Sequence, residues 1–476
     1  VPHLGKNDRV EESAGTVEPS KRKWIILTTS LMTILTMVDS TIANVALPTI
    51  ARDINASASA SIWIVNGFQL GMVSGVVPFS QLADIMGYWR LYRLSLIGFM
   101  VASLACSLSH TLLALSIARF VQGFSGAALT VSGPPINRLA FPPKMLGRAT
   151  GFAAMSVALG AAAGPIVSGL VLTVAPWPWL FAINVPLGAV GLVLALLTIP
   201  RTPGSKRAYD VASGAMSIVV FGLGIVGLDT VGHDGPTPLG IMEVVVALTV
   251  GVMFFRRQLT ASLPMFAVDL FAEMRFSLAA FACFASFVAQ TIPYVSLPFV
   301  LQTAMGYTPL QFALLLLPWL LASAAISPFA GRLADRFTSS RLAAIGMGIF
   351  GVGLLCTAFI GPKAAPFDIA WRLTLCGIGF GIFQSPNNRS IQGSVPRNRS
   401  GAAQAIQAMA RVVGQTVGAI IVAIVFASES HRAGSSVAAG TVVVTLTIAA
   451  GVAFIAAAAS FWRGVITGSI PLARAS

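Results

Sequence analysis

Apolar runs of about 20 residues, separated by short polar stretches, recur along the whole chain, and each is long enough to cross a hydrocarbon core as a helix. The pattern predicts fourteen spans, over residues 24–48, 61–83, 92–110, 111–135, 147–174, 180–199, 211–231, 238–255, 276–300, 309–330, 341–361, 368–390, 401–427 and 437–461. The third and fourth nearly merge around Ser109-His110. The start, Val1 to Ser20, is polar and Glu-containing, and Lys21-Arg22-Lys23 leads into a full-length span, so that segment reads as an anchor rather than a cleavable signal.

Composition agrees with a polytopic membrane protein: 56% of the 476 residues are hydrophobic and only 10% charged, against about 25% charged in soluble domains. The net charge of +14 could point to nucleic acid, but the basic residues lie in short clusters between apolar runs and not along one face. No nucleic-acid partner is expected. Cys106, Cys283, Cys356 and Cys376 sit inside apolar runs without paired spacing or neighbouring His, so neither disulfides nor a metal site is expected.

The basic clusters report topology, because alternate loops hold most of the Lys and Arg. Both termini are predicted cytoplasmic. Leu82-Ala83-Asp84 recurs as Leu333-Ala334-Asp335, and Arg148 as Arg399, both at an offset of 251 residues. Two landmarks at one offset argue for two homologous halves, the organisation of secondary transporters. The expected division is a tail (1–23), an N-terminal six-helix bundle (24–200), an inserted helix pair with its loops (201–275), a C-terminal six-helix bundle (276–462) and a second tail (463–476).

Charges at membrane depth are costly and mark functional sites by default. Asp39 lies about 13 Å inside the outer end of the first span, and Arg119 about 12 Å inside that of the fourth, at 1.5 Å per residue. Similar height makes them candidate partners; a permanent salt bridge ordering the N-terminal half is the competing explanation. Arg411, about 15 Å into the thirteenth span, is the other deep charge and would suit an anionic group or a helix carbonyl. Glu243, about a turn inside the eighth span, reads as peripheral. Asp84 and Asp335 fall at helix ends, near Arg90, Arg148 and Arg336, where carboxylates can latch one conformation; ordinary capping is the bland alternative.

Several segments resemble the major facilitator superfamily, and within it the fourteen-span drug:proton antiporter branch. Asp39-Ser40-Thr41-Ile42-Ala43-Asn44-Val45-Ala46-Leu47-Pro48 resembles that branch's first-helix signature. Gly331-Arg332-Leu333-Ala334-Asp335-Arg336-Phe337 resembles the loop motif between the second and third helices of a half. Leu115-Ser116-Ile117-Ala118-Arg119-Phe120-Val121-Gln122-Gly123 is similar to the fourth-helix motif with its intramembrane Arg, and the run from Gly160 through Gly164 and Pro165 to Gly169 to the fifth-helix antiporter motif. Trp177-Pro178-Trp179-Leu180-Phe181-Ala182-Ile183-Asn184-Val185-Pro186 is similar to the start of that branch's sixth helix. The N-terminal loop motif departs from the pattern: Ser80 stands where the family has Gly, and Ile85 and Tyr88 where it has Arg.

The resemblance implies an all-helical major facilitator fold of two six-helix bundles plus two inserted helices. It assigns proton coupling to Asp39 and Arg119, and a seal against proton leak to Gly160, Gly164 and Pro165, for which plain small-residue packing is the simpler reading. On helices that line the cavity in this fold, Asn44, Asn66, Gln69, Gln290, Tyr294, Trp319, Gln384, Gln407 and Arg411 are candidate substrate contacts, each explained as well by a helix–helix hydrogen bond or a lipid-facing position.

The expected function is proton-coupled export of a hydrophobic, cationic or amphipathic small molecule, as in multidrug efflux. The protein would act as a monomer in a bacterial inner membrane, with protons, small-molecule substrate and lipid as its only partners. The alternatives are a dedicated exporter of an amino acid, fatty acid or siderophore, and a non-transporting receptor on the same fold. Gly222-Leu223-Gly224-Ile225-Val226-Gly227 matches a dinucleotide fingerprint but lies within a span and reads as helix packing. No phosphate-cradling loop, metalloprotease motif or nucleophile elbow is present, so no enzyme and no cofactor beyond the proton gradient is expected.

Overall fold

The computed structural model describes residues 19–140, 146–202, 204–205, 208–234, 237–260, 267–361, 364–395, 399–433 and 439–469. Among these residues the chain is helical wherever it is regular, and thirteen helices are long and apolar enough to cross a membrane. A further helix, Pro366–Gly393, is equally long but carries Asp368, Arg372 and Arg389, which lower its hydropathy. Together these correspond to the fourteen spans expected from the apolar pattern.

The chain divides into two compact units. One comprises residues up to Ala43 and Gly67–Ile218. It contains most of α1 (Pro19–Asp53), nearly all of α3 (Trp63–Met86), then α4 (Tyr88–Ser107), α5 (Leu112–Ala140), α6 (Leu146–Val174), α7 (Trp179–Ala182) and α8 (Asn184–Thr198). Helices α4 and α5 separate at residues 108–111, where the apolar pattern alone nearly fused them.

Close approach in this unit depends on missing side chains. A Cβ on Gly71 would lie 2.6 Å from Phe124 N. One on Gly67 would lie 2.7 Å from Ser116 O, so α3 and α5 meet backbone to backbone. Helix α6 approaches α1 in the same way: a Cβ on Gly160 would lie 2.6 Å from Met37 Cβ and 2.8 Å from Ile34 O, and one on Gly164 3.0 Å from Val38 O. Gly67 and Gly71 thus seat α3 on the α5 segment that carries Arg119, and Gly160 and Gly164 seat α6 on the turns of α1 that flank Asp39.

The other unit comprises Asn44–Asn66 and Val219 onward. It holds the C-terminal end of α1, the short α2 (Ala58–Ser61), most of α9 (Val211–Asp234), and α10 (Pro238–Thr260). Next come α11 (Met274–Phe299, continued as a π turn to Ala304), α12 (Pro309–Arg336), α13 (Ser339–Ala358), α14 (Pro366–Gly393), α15 (Ser400–Ala433) and α16 (Ala439–Ser469). The capping box at Thr308 and Gln311, with Pro at the first helical turn, fixes the start of α12.

Three hydrogen bonds tie the segment around α2 and the end of α1 into this unit: Ser59 Oγ to Ala423 O (2.9 Å), Gln302 Nε2 to Val45 O (2.9 Å) and Trp63 Nε1 to Asp229 Oδ2 (2.9 Å). A short 3-10 helix, Val268–Ala272, presents Asp269 to both guanidinium nitrogens of Arg399, with Nη2 at 2.9 Å from Oδ1. Hydrogen bonding to Arg399 holds the Asp269 carboxyl below the usual carboxylate range. Its contribution is therefore present above the ordinary carboxylate pKa and disappears as pH falls through the lowered one. Both side chains are well exposed, so the contribution is small.

The helix-packing reading of the 222–227 run holds for Gly224, whose Cβ would lie 3.7 Å from Ala247 Cβ, and for Gly227, tight against Val244 N at 2.9 Å, while a Cβ on Gly222 meets nothing within 4 Å. One sequence expectation needs correction. Arg463, expected in a cytoplasmic tail, lies inside α16 and is 2% exposed; its Nε donates to Ser340 Oγ (3.0 Å) and its Nη1 to Asn387 Oδ1 (2.9 Å). Helix α16 runs past the apolar limit because neighbouring helices supply acceptors for the charge.

A Gly71→Ala substitution is expected to destabilise the protein by about 1–3 kcal/mol through overpacking, whereas Gly222→Ala leaves stability unchanged. Thermal unfolding of the two purified variants in detergent checks the pair; equal behaviour would rule out the backbone contact as a stabilising feature.

Candidate functional site

The densest polar arrangement in the first unit centres on Asp39, 0% exposed on α1. Its Oδ2 accepts from Arg119 Nη1 at 2.6 Å. Its Oδ1 accepts from Asn184 Nδ2 at 2.6 Å and from Gln122 Nε2 at 2.9 Å. Arg119 Nη2 also reaches the Asp39 carbonyl at 3.3 Å. A carboxylate in hydrocarbon is tolerable only with such compensation, and here three side chains share it.

Each donor is placed by the local fold. Arg119 and Gln122 are three residues apart on α5 and so share a face. Asn184 is the first residue of α8, where the short helix α7 has just ended. The Gln122 amide is fully used: Nε2 also donates to Ser103 Oγ (2.7 Å), and Oε1 accepts from Arg119 Nη1 (2.7 Å) and faces Cys106 Sγ (3.6 Å). The Arg119 guanidinium lies over the Phe68 ring (4.3 Å) and within 5.4 Å of the Phe181 ring. Cation–π attraction and the Gln122 oxygen would hold the cation even with Asp39 neutral.

Sequence reading paired Asp39 with Arg119 by height alone and left Gln122, Asn184 and Ser103 unassigned. Gln122 and Asn184 stood inside motif segments already singled out; Ser103 carried no signal.

The N-terminal loop acid behaves differently from its expected latch with Arg90. Asp84 Oδ1 accepts from Tyr88 OH at 2.5 Å, and Asp84 O accepts from Ser205 N at 3.0 Å. Tyr88, one of the departures from the family pattern, is thus the partner of the acid: at i+4 it sits directly beside it. Neither Arg90 nor Arg93 bonds to it, and Arg93 instead lies over the Trp89 ring at 4.2 Å. Thr202 Oγ1 accepts from Trp89 N (3.0 Å) and Gln81 Oε1 from Asp210 N (2.9 Å), so this turn is a dock for the segment leading into α9. The side chains of Arg148, Asp335 and Arg336 lie outside the described residues.

Each of the proposed substrate contacts is buried or half-buried. Asn44 Oδ1 and both polar side-chain atoms of Asn66 are buried without a hydrogen-bond partner. Gln69 is buried; Gln290 and Gln384 are half-buried. The Tyr294 ring packs against Trp319 at 5.2 Å, and Trp319 Nε1 is buried without a partner. Gln407 donates to Asn388 Oδ1 at 2.6 Å, a helix–helix bond that sequence reading did not locate. Asp229, also missed, is buried near the C-terminal end of α9 against Trp63, and Glu243 Oε2 accepts from Thr230 Oγ1 at 3.1 Å.

The family to which this helical membrane fold belongs defines a transporter rather than an enzyme. The chain belongs to the Major Facilitator Superfamily, whose family model matches residues 29–419. It is 42% identical over 406 residues to the uncharacterized transporter YebQ of Escherichia coli, covering 85% of this chain and 89% of that protein. It is 28% identical to the multidrug resistance protein Stp of Mycobacterium tuberculosis, over 85% of this chain and 75% of that one. The fold matches a solved POT family transporter in complex with 5-aminolevulinic acid, at a TM-score of 0.68 and 15% identity, over 97% of this chain and 100% of that one.

Removing Arg119 alone (Arg119→Gln) leaves the Asp39 carboxyl buried without its cation and is expected to cost about 3–5 kcal/mol. Adding Asp39→Asn should recover part of that loss. Thermal unfolding of the two single variants and the double variant measures the coupling; strictly additive losses would mean that the pair contributes no mutual stabilisation.

Proposed function

We propose that the chain is a proton-coupled antiporter that exports a hydrophobic or amphipathic small molecule by alternating access, with Asp39 as the proton-exchanging carboxylate and Arg119 as its counter-ion. The observation that carries this reading is the Asp39 network. A carboxylate at membrane depth gives up its ion pair when it takes a proton, and Arg119 retains alternative holds on Phe68, Phe181 and Gln122, so the pair can open without expelling a bare guanidinium into hydrocarbon. Protonation then removes one charge from a junction of α1, α5 and α8 and biases the equilibrium between conformations. Similarity to a relative named for multidrug resistance supports export of foreign amphipathic compounds.

The same reading places both termini in the cytoplasm of a bacterial cell and treats the working unit as a monomer. It gives Gly160, Gly164 and Pro165 the task of keeping α6 tight against α1, which excludes water from the Asp39 network. A strictly cationic cargo would need a carboxylate without other engagements, and Asp39, Asp84, Asp229, Glu243 and Asp368, described acids of the span helices, all hold hydrogen bonds.

Full burial and three side-chain donors also favour a second reading, in which the pair only braces the first unit. Asp39→Asn separates the two in everted membrane vesicles carrying normal amounts of folded protein. Proton exchange predicts that substrate-dependent collapse of the pH gradient falls to the level of empty vesicles. Retention of wild-type proton flux in this variant would leave the bracing role standing.

A further inference from the structure

We infer that Arg411 forms an anion-binding site in the second unit and that the exported molecule is an amphipathic organic anion bearing a carboxylate, sulfonate or phosphate. This inference rests on the reading of the chain as an exporter and narrows its cargo. Arg411 lies at mid-span on α15, eleven residues from the helix start. Its Nε is buried without a hydrogen-bond partner, while the side chain as a whole keeps partial exposure. A guanidinium stays protonated in proteins, so this charge cannot be shed by titration.

Two alternatives present in the sequence are not realised. Among the described residues, no helix carbonyl accepts from Arg411 and no carboxylate pairs with it. Several described acids of this unit are engaged elsewhere: Asp269 pairs with Arg399, near the start of α15. Asp368 binds Arg372, Asp229 binds Trp63 and Glu243 binds Thr230.

The setting is shaped for a ligand with an aromatic or apolar body. Gln407, Arg411, Gly414 and Gly418 fall on one face of α15 by their spacing. That face packs on α11: a Cβ on Gly414 would lie 2.5 Å from Phe284 O and 3.1 Å from Phe287 Cβ, and one on Gly418 2.7 Å from Val288 O. The Cys283 Sγ lies 4.0 Å from Gln407 O, on the same seam. Gln407 is held by Asn388. The unpaired guanidinium thus lies one turn from the Gln407–Asn388 amide pair, on a helix whose same face meets the Phe284–Val288 turns of α11, and an anionic head on an apolar body suits that charge in an apolar setting.

Fluorescein and rhodamine 6G, which share a xanthene core and differ in charge sign, test the assignment by fluorescence polarisation on the full-length protein in phosphatidylcholine nanodiscs. The wild type is expected to bind fluorescein in preference to rhodamine 6G. Arg411→Gln should weaken fluorescein about tenfold or more, as loss of a charge-assisted bond predicts, and Arg411→Lys should restore part of it while leaving rhodamine 6G unchanged. Preference of the wild type for rhodamine 6G, or no fluorescein binding, overturns the inference without any variant. So does equal fluorescein affinity in Arg411→Gln, and so does displacement of the dye by phosphatidylglycerol, which would give the site to a lipid headgroup. The assay uses no proton gradient, so its failure is distinct from failure of proton coupling.

Discussion

The cost of a carboxylate in hydrocarbon is the constraint on which the first unit depends. Asp39 is inside the membrane and fully buried, so the fold has to bring donors to it from α5 and α8, and a second layer from α4 to orient them. That requirement explains where the glycines are. Gly67 and Gly71 let α3 meet α5 closely, and Gly160 and Gly164 let α6 close on the turns of α1 on either side of Asp39. A tight helix cluster and a buried charge are here two aspects of one arrangement, because the network keeps its geometry only where water cannot enter.

Much of this was legible in the sequence, for reasons that differ between elements. The spans follow from hydrophobicity alone, since helices in a bilayer satisfy their own backbone groups and need no other signal. The pairing of Asp39 with Arg119 followed from depth along two helices. The finer network did not, because Asn184 reaches Asp39 only through the break between α7 and α8, a tertiary feature without periodicity. Tyr88 shows the opposite case: read as a loss from the basic cluster, it occupies the i+4 position and bonds Asp84 itself. Arg463 was misplaced because a charge near a helix end looks like a boundary, and only packing against Ser340 and Asn387 shows that it is buried.

The two units carry charge in different ways. In the first, an acid and a base within the spans are saturated by each other and by amides; in the second, Arg411 lies within its span with no described carboxylate paired to it. An exchanger that admits a proton and expels an anion moves positive charge inward in both events, so an interior-negative membrane potential drives it as well as the pH gradient. A proton taken by Asp39 frees one cation locally, whereas an anion taken by Arg411 neutralises another, and the two events can bias one conformational equilibrium from opposite units.

The central claim is that Asp39 exchanges its proton in step with cargo. Proton release on ligand addition tests it most directly, recorded with a pH dye in weakly buffered, detergent-solubilised protein. The account predicts release when an amphipathic anion such as fluorescein is added to wild type, and none with Asp39→Asn at matched saturation. Equal release from both proteins would contradict it.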